Sequence, residues 1–315
     1  MLNLLVFTLV GVGAQLVDGA LGMAFGVTAT TLLIFSGVGA AHASAAVHLA
    51  EVGTTLVSGA AHWRFRNIDW KVVLRLGVPG AIGAFLGATV LSGLSTEAAV
   101  PVTATILLII GVYVALRFSV RPPAVANART SPHTAKFLSP LGFFGGFVDA
   151  SGGGGWGPIT TSTLLSRGKT APRTVIGSVS ASEFLVAVAA SIGFLIGLGR
   201  ESFDNLVIVA GLAIGGALAA PVAAWLVSRV PATLLGTAVG GVIVVTNLYK
   251  LFDTFEVSSM VATLLYMLLI AGWITLLVVS WKRSNLTPAE SSGGLEKLEA
   301  PTPAVLQEDP QGQKI

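Results

Sequence analysis

Of the 315 residues, 53% are hydrophobic and only 10% are charged. A soluble domain carries about 25% charged residues, so this chain lacks the polar surface to sit in water. It has no cysteine, which excludes disulfides, thiol catalysis and thiolate metal sites. Its net charge of +3 is gathered in a few loops, a pattern of membrane topology rather than of nucleic-acid binding.

The apolar segments fall at 3–36, 41–62, 71–93, 97–118, 138–166, 172–198, 204–228, 231–251 and 257–281. The first starts without a basic region, so it reads as a membrane element and not as a cleavable secretory signal. Segment 3–36 would reach about 50 Å as one straight helix, against a hydrocarbon core of about 30 Å. It is interrupted at Asp18-Gly19-Ala20-Leu21-Gly22, and segment 138–166 is interrupted at Asp149-Ala150-Ser151 and Gly152 to Gly155. Each therefore reads as two half-helices joined by irregular backbone. The stretch 119–137, with Arg121, Pro122, Pro123, Arg129 and Lys136, reads as a polar linker. The end from 284 to 315, rich in Pro, Glu, Gln and Ser, reads as a disordered tail.

The two halves align. Val17-Asp18, Gly22 and Phe25-Gly26 match Val148-Asp149, Gly153 and Trp156-Gly157. The run from Ala45 to Glu51 matches Gly177 to Glu183, Asn67-Ile68-Asp69 matches Ser202-Phe203-Asp204, and Tyr113 matches Tyr249. The offset grows only from 131 residues between the aspartates to 136 between the tyrosines.

Charge placement sets the handedness of the repeat. Loop 63–71 holds Arg64, Arg66 and Lys71, and turn 167–173 holds Arg167, Lys169 and Arg173, whereas turns 36–41 and 93–97 carry no Lys or Arg. If each broken segment dips to the midplane and returns, every basic end, including Arg229 and Lys282-Arg283, lies on the cytoplasmic side. Each half is then a hairpin plus three spans, and an odd number of spans inverts one half relative to the other. The rival arrangement is eight or nine full spans with parallel repeats. The expected fold is thus an all-α polytopic membrane protein with two homologous, inverted repeats. Each repeat is a re-entrant Gly-rich helical hairpin plus three transmembrane helices, and one additional C-terminal transmembrane helix follows. The expected divisions are repeat 1 over 1–118, a cytoplasmic linker over 119–137, repeat 2 over 138–256, a final transmembrane helix over 257–283 and a cytoplasmic tail over 284–315.

Irregular backbone at membrane depth is tolerated only where protein buries it or it lines a cavity, so the paired breaks mark the expected translocation site. The N–H groups at the start of each returning half-helix suit an anion. Gly22 in the first break and Gly152, Gly153, Gly154 and Gly155 in the second would let backbone approach it. Thr28, Thr160 and Thr161, with Ser178 and Ser180 in the small-residue span beyond, would supply hydroxyls. Alternatively these glycines serve close helix packing alone, and the hydroxyls bond their own backbone. Asp18 and Asp149 fit N-caps of the returning half-helices or proton-binding groups. An ionised pair beside an anion would repel it, so capping or protonation suits them better than direct contact. Glu51 and Glu183 lie about ten residues into their spans, where a carboxyl costs roughly 2.5 kcal/mol or more. Ser44, His48, Glu51 and Thr55 share one helical face. Glu51, Glu183 and His48 are the expected coupling or gating groups, against a structural hydrogen bond holding hairpin to span. No Lys or Arg falls mid-span; Arg75 and Arg173 sit near the cytoplasmic ends, where they snorkel.

The turns Leu16-Val17-Asp18-Gly19-Ala20-Leu21-Gly22 and Phe147-Val148-Asp149-Ala150-Ser151 through Gly152–Gly155 to Trp156-Gly157-Pro158, with the small-residue runs Gly80-Ala81-Ile82-Gly83-Ala84 and Ile176-Gly177-Ser178, carry a family likeness. Over about residues 4–280 the layout resembles the sulfite exporter TauE/SafE family. The resemblance implies a multi-pass permease of the bacterial inner membrane that moves small sulfur-containing anions such as sulfite or organosulfonates, usually outward. Protons are the candidate coupling ion, and no cofactor, metal or nucleic-acid partner is implied; a homo-oligomer is left open. An anion channel of the same fold is the nearest alternative. An intramembrane aspartyl protease would need two converging acids activating water. Asp18 and Asp149 instead sit in duplicated Gly turns, without a Tyr-Asp or Gly-x-Gly-Asp context, so no enzyme is expected.

Overall fold

A computed structural model of the chain describes residues 2–21, 23–120, 128, 130–167, 169–199, 206–227 and 232–286. Gly22, Asp204, Arg229, most of the linker (Arg121 and Arg129 with it) and the tail beyond 286 lie outside the described residues. Among the described residues every regular element is helical and there is no strand. The first half comprises α1 (Leu2–Leu21), α2 (Phe25–Phe35), α3 (Ala40–Arg64), α4 (Trp70–Ser92) and α5 (Thr96–Val120). The second comprises α6 (Ala135–Gly152), a π-turn (Gly157–Thr161) running into α7 (Ser162–Ser166), α8 (Pro172–Leu198), α9 (Leu206–Val227) and α10 (Ala232–Thr254); α11 (Ser259–Leu286) closes the chain.

Among the described residues five stretches are long and apolar enough to cross a membrane: Trp70–Ser92, Glu97–Ser119, Arg173–Leu198, Thr233–Thr254 and Ser259–Arg283. Helix α3 has 25 residues, enough for about 37 Å. Ser44, His48, Glu51, Thr54, Thr55 and Ser58 make one side of it polar, so it falls short on composition and not on length.

Packing follows a rule of exchange between the halves. Helix α1 packs along α9, and its counterpart α6 packs along α4. Helix α4 also packs on α8, as α9 does on α3, while the counterparts α3 and α8, and α5 and α10, pair with each other. Small residues permit the closest of these approaches. A Cβ on Gly83 or Gly87 would strike the backbone of Phe143 or Phe147, and one on Gly142 or Gly146 that of Leu76 or Gly80. Across the exchanged pair, a Cβ on Gly11 would strike Leu212 and one on Gly215 would strike Thr8, both on backbone. Helix α11 lies outside this arrangement. Its Trp273 Nε1 donates to Thr237 O (3.0 Å) and Ser280 bonds Thr237 (2.8 Å), while most of its apolar side chains face outward.

One end of the bundle gathers the basic loops. Arg283 donates to Ser119 O (3.2 Å), which joins the C-terminal ends of α11 and α5. Ala171 N donates to Ala128 O (2.8 Å), so the chain running into α6 and the chain leaving α7 lie side by side. His133 here is pushed below the ordinary imidazole value by its burial and by nearby Arg167 and Lys169. Asp69 ties three segments of this end together. Its Oδ1 caps α4 through Lys71 N (3.0 Å), its Oδ2 accepts from Ser131 N (2.8 Å), and its own N–H donates to Ser178 Oγ (2.8 Å). Replacing Asp69 by Ala removes both side-chain bonds. A loss of about 1–2 kcal/mol is expected, read as a lowered Tm of the detergent-solubilised protein, whereas Lys71→Ala, which leaves the capping N–H in place, should leave Tm near the parent value.

Candidate functional site

A helix ends with four carbonyls and begins with four N–H groups that lack intrahelical partners, and inside a membrane each must find one. In the second break nearly all are accounted for. At the end of α6, Asp149 O accepts from Gly154 N (2.8 Å), Ala150 O from Ser44 Oγ (2.8 Å), Ser151 O from Thr103 Oγ1 (3.2 Å) and Gly153 O from Thr30 Oγ1. The hydroxyls come from α3, α5 and α2, all in the other half of the chain. Three glycines in succession take positive φ: Gly153 at 72°, Gly154 at 150° and Gly155 at 152°. A side chain at Gly154 would also collide with the backbone of Gly26 and Val27, so the two breaks lie directly against each other.

The start of the helix that follows each break is met by the aspartate before it. Asp18 Oδ1 accepts from Ala24 N (3.0 Å) and Phe25 N (3.2 Å), and Asp149 Oδ1 accepts from Trp156 N (2.9 Å). Phe25 and Trp156 each lie seven residues after their aspartate, so the repeat preserves a capping interaction. The backbone break falls after Leu21 and not at Asp18 itself: Asp18 remains in the last turn of α1 and reaches across the gap.

The aspartates differ in their second oxygen. Asp149 Oδ2 lies 3.1 Å from His48 Nε2, and both side chains are buried. His48 Nδ1 lies 2.8 Å from Ser44 O, a carbonyl that can only accept, so Nδ1 carries a proton. Nε2 and Oδ2 then share one further proton, either as imidazolium with carboxylate or as two neutral groups. The residue matching His48 in the second half is Ser180, beside Asp18 in the wall of a cavity.

This cavity, of about 220 Å³, is lined by Asp18, Glu51, Asp149, Gly155, Thr161, Ser180 and Glu183 among the residues singled out from the sequence. It also meets Gln15, Thr54, Ser58, Trp156 and the backbone around Gly26, which sequence reasoning did not select. Thr54 and Ser58 were within reach of it, since they extend the Ser44–His48–Glu51–Thr55 face by further helical steps. Both halves contribute, so the two breaks share one cavity. Glu51 presses on the first turn of α2, where a Cβ at Gly26 would lie 2.9 Å from its Oε1. Among the described residues no Lys or Arg lines the space.

The other selected residues lie apart from it. Gly152, Gly153 and Gly154 form the turn behind the wall, Thr160 Oγ1 donates to Trp156 O, and Ser178 holds Asp69 at the end of α8. Thr28 Oγ1, without a partner among the described residues, faces a separate, mostly apolar space beside Gly13, Leu32 and Val239. Gly22 lies outside the described residues.

Apolar helices enclosing one polar cavity, where two half-helices begin, are the architecture of a membrane transporter. The family described as "Sulfite exporter TauE/SafE" matches residues 7–250. The chain belongs to that family. It is 46% identical over 275 residues to "Probable membrane transporter protein YtnM" of Bacillus subtilis (strain 168), covering 87% of this chain and 91% of that one. It is 28% identical over 242 residues to "Probable membrane transporter protein YdhB" of the same organism, covering 76% and 95%. No solved structure matches. The chain is therefore a multi-pass membrane permease.

The His48–Asp149 pair yields a stability test. Asp149→Ala removes the cap of the returning half-helix and leaves His48 without its partner, at an expected cost of about 3–5 kcal/mol. Asp149→Asn keeps an acceptor for Trp156 N and should cost less. In thermal melts, the double change His48→Ala with Asp149→Ala should fall short of the sum of the single changes by at least about 0.5 kcal/mol; additive losses would mean the pair is not coupled.

Proposed function

We propose that this permease moves small sulfur oxyanions, sulfite or organosulfonates, outward across the bacterial inner membrane, in a proton-linked cycle centred on the cavity between the breaks. The observation that carries this reading is the joint lining of one cavity by both helix breaks, with Glu51 and Glu183 in its wall. The family to which the chain belongs supports the oxyanion. In the substrate-bound state the oxyanion lies at the first turn of α2, where backbone N–H groups and the positive end of the helix dipole favour it, with the Thr161 hydroxyl as a further donor.

The carboxyls decide when it binds. With Glu51 and Glu183 ionised, an incoming anion meets like charge in a confined, weakly screened space. With them protonated, the repulsion is gone and both carboxyls can donate. Anion and proton therefore bind together, and the two cross in the same direction. Outward movement of any negative charge left uncompensated gains about 2.3 kcal/mol per 100 mV from an inside-negative potential.

Re-entrant hairpins in an inverted repeat provide the moving parts. The side-by-side chains at Ala128 and Ala171 support a second hairpin that enters and leaves on one side, and the exchange rule in the packing supports a two-fold relation between the halves. Rocking of one half against the other about the paired breaks would open the cavity to each side in turn. The basic loops support a cytoplasmic side for their end of the bundle and for the tail.

Flux of labelled sulfite from proteoliposomes tests this. Acidifying the sulfite-loaded side should accelerate flux. Glu51→Gln and Glu183→Gln, which mimic a permanently protonated carboxyl, should retain flux while its response to the gradient falls toward none. A variant that keeps the full response would remove that carboxyl from the coupling step, and absence of sulfite flux in the folded parent protein would remove the substrate assignment.

A further inference from the structure

The charge balance of the cavity goes further than a bare anion. Among the described residues four carboxyls reach it, from Asp18, Glu51, Asp149 and Glu183, and no Lys or Arg does. The nearest cationic candidate, His48, is bound to Asp149. The N-terminal ends of the two returning half-helices carry roughly half a positive charge each, and the two aspartates already cap them. What remains is Glu51 on α3 and Glu183 on α8, two helices packed against each other, with Glu51 only 5% exposed. Neither carboxyl has a hydrogen-bonded or ionic partner among the described residues. Two uncompensated carboxylates in about 220 Å³ favour a positive charge between them.

A second, independent feature points to a ligand with a different end. Thr161, on the π-turn, is 2% exposed and lines the same cavity, and its hydroxyl has no partner among the described residues. It ends the π-turn that follows the second break. The same cavity is therefore lined by the two glutamates, with Glu51 lying against the first turn of α2, and by Thr161 and the helix N-termini, with Met23 and Phe25 providing apolar surface.

We infer that the cavity takes a zwitterion, a molecule carrying an ammonium group and an oxyanion, with the ammonium at Glu51 and Glu183 and the oxyanion at Thr161 and the first turn of α2. This rests on the permease reading of the same cavity. In it the ammonium supplies the positive charge that protons must supply for a simple anion. Glu51 and Glu183 are then specificity-determining as well as coupling residues.

The test compares 3-aminopropane-1-sulfonate with 3-hydroxypropane-1-sulfonate, which differ in the charged group alone, with sulfite run in parallel. Efflux from proteoliposomes is measured at equal pH on both sides, in sodium-free buffer and again with sodium added. The ability of each compound to raise the Tm of the purified protein is measured alongside. The amine should be preferred about tenfold or more, as a charge-assisted hydrogen bond allows, without a need for sodium. Glu183→Gln, close in shape to the parent side chain, should lose that preference, read as equal shifts of Tm by the two sulfonates. Equal flux of the two sulfonates, or a preference for the hydroxy compound, overturns the inference and leaves the permease reading standing if sulfite moves. Equal dependence of both on sodium also overturns it, because a free ion then supplies the charge. If none of the three compounds moves or raises Tm, the inference and the sulfur-oxyanion reading fall together.

Discussion

The structure depends on how two interrupted helices satisfy their backbone inside a membrane. Stopping a helix in hydrocarbon exposes carbonyls and N–H groups, each costing several kcal/mol if left alone. Here the hydroxyl partners of the second break all come from the other half, from Ser44, Thr103 and Thr30, and the backbone at Gly26 and Val27 closes against Gly154. The second half could not hold its break in this form by itself. The halves must meet at the breaks, and the cavity between them is the consequence.

The same constraint explains the aspartates. A carboxylate at membrane depth is expensive, but its cost falls when it accepts from backbone N–H groups that would otherwise lack partners. Asp18 and Asp149 do this in the same way, seven residues ahead of Phe25 and Trp156. Their remaining oxygens break the symmetry. Asp149 is tied to α3 by His48, whereas Asp18 faces the cavity beside Ser180. The second break is therefore cross-linked to the opposite half by the His48–Asp149 hydrogen bond on top of its hydroxyl contacts, and among the described residues Asp18 has no side-chain partner of that kind. The two Asp turns cap alike, and the histidine of one half against the serine at the matching position of the other leaves the two breaks unequal.

Much of this was legible in the sequence because membrane insertion leaves little freedom. The apolar segments map onto helices within a few residues, since a span must be long enough to cross. The duplicated Asp-and-Gly turns located both breaks for the same reason: acids and glycine runs are rare at that depth unless backbone geometry requires them. The capping role of both aspartates followed from their position ahead of a returning half-helix. What sequence could not supply was the partner across the halves. Nothing local to Thr103 says that it serves Ser151, and Ser178, selected as a substrate hydroxyl, instead holds Asp69 at the end of the bundle. Thr28 faces a separate space from the cavity, and every side chain described in the first turns of α2 is buried; a helix buried on all faces gives little periodicity from which to read direction.

The polar face of α3 connects the fold to the chemistry. Ser44 and His48 serve the second break, while Glu51, Thr55 and Ser58 continue the same stripe into the cavity. A movement of α6 against α3 large enough to separate His48 from Asp149 would also shift Asp149 relative to Glu51, because His48 and Glu51 stand on neighbouring turns of one helix. Charge in the cavity and the seating of the second break are thus mechanically linked through α3. In the second half, α8 carries Glu183 toward the cavity in the same way, with Ser180 at the position that matches His48. A change of charge at Glu183 consequently meets a break without a histidine cross-link, while a change at Glu51 meets one held by His48, and the two glutamates cannot be equivalent even though they stand at matching positions of the two halves.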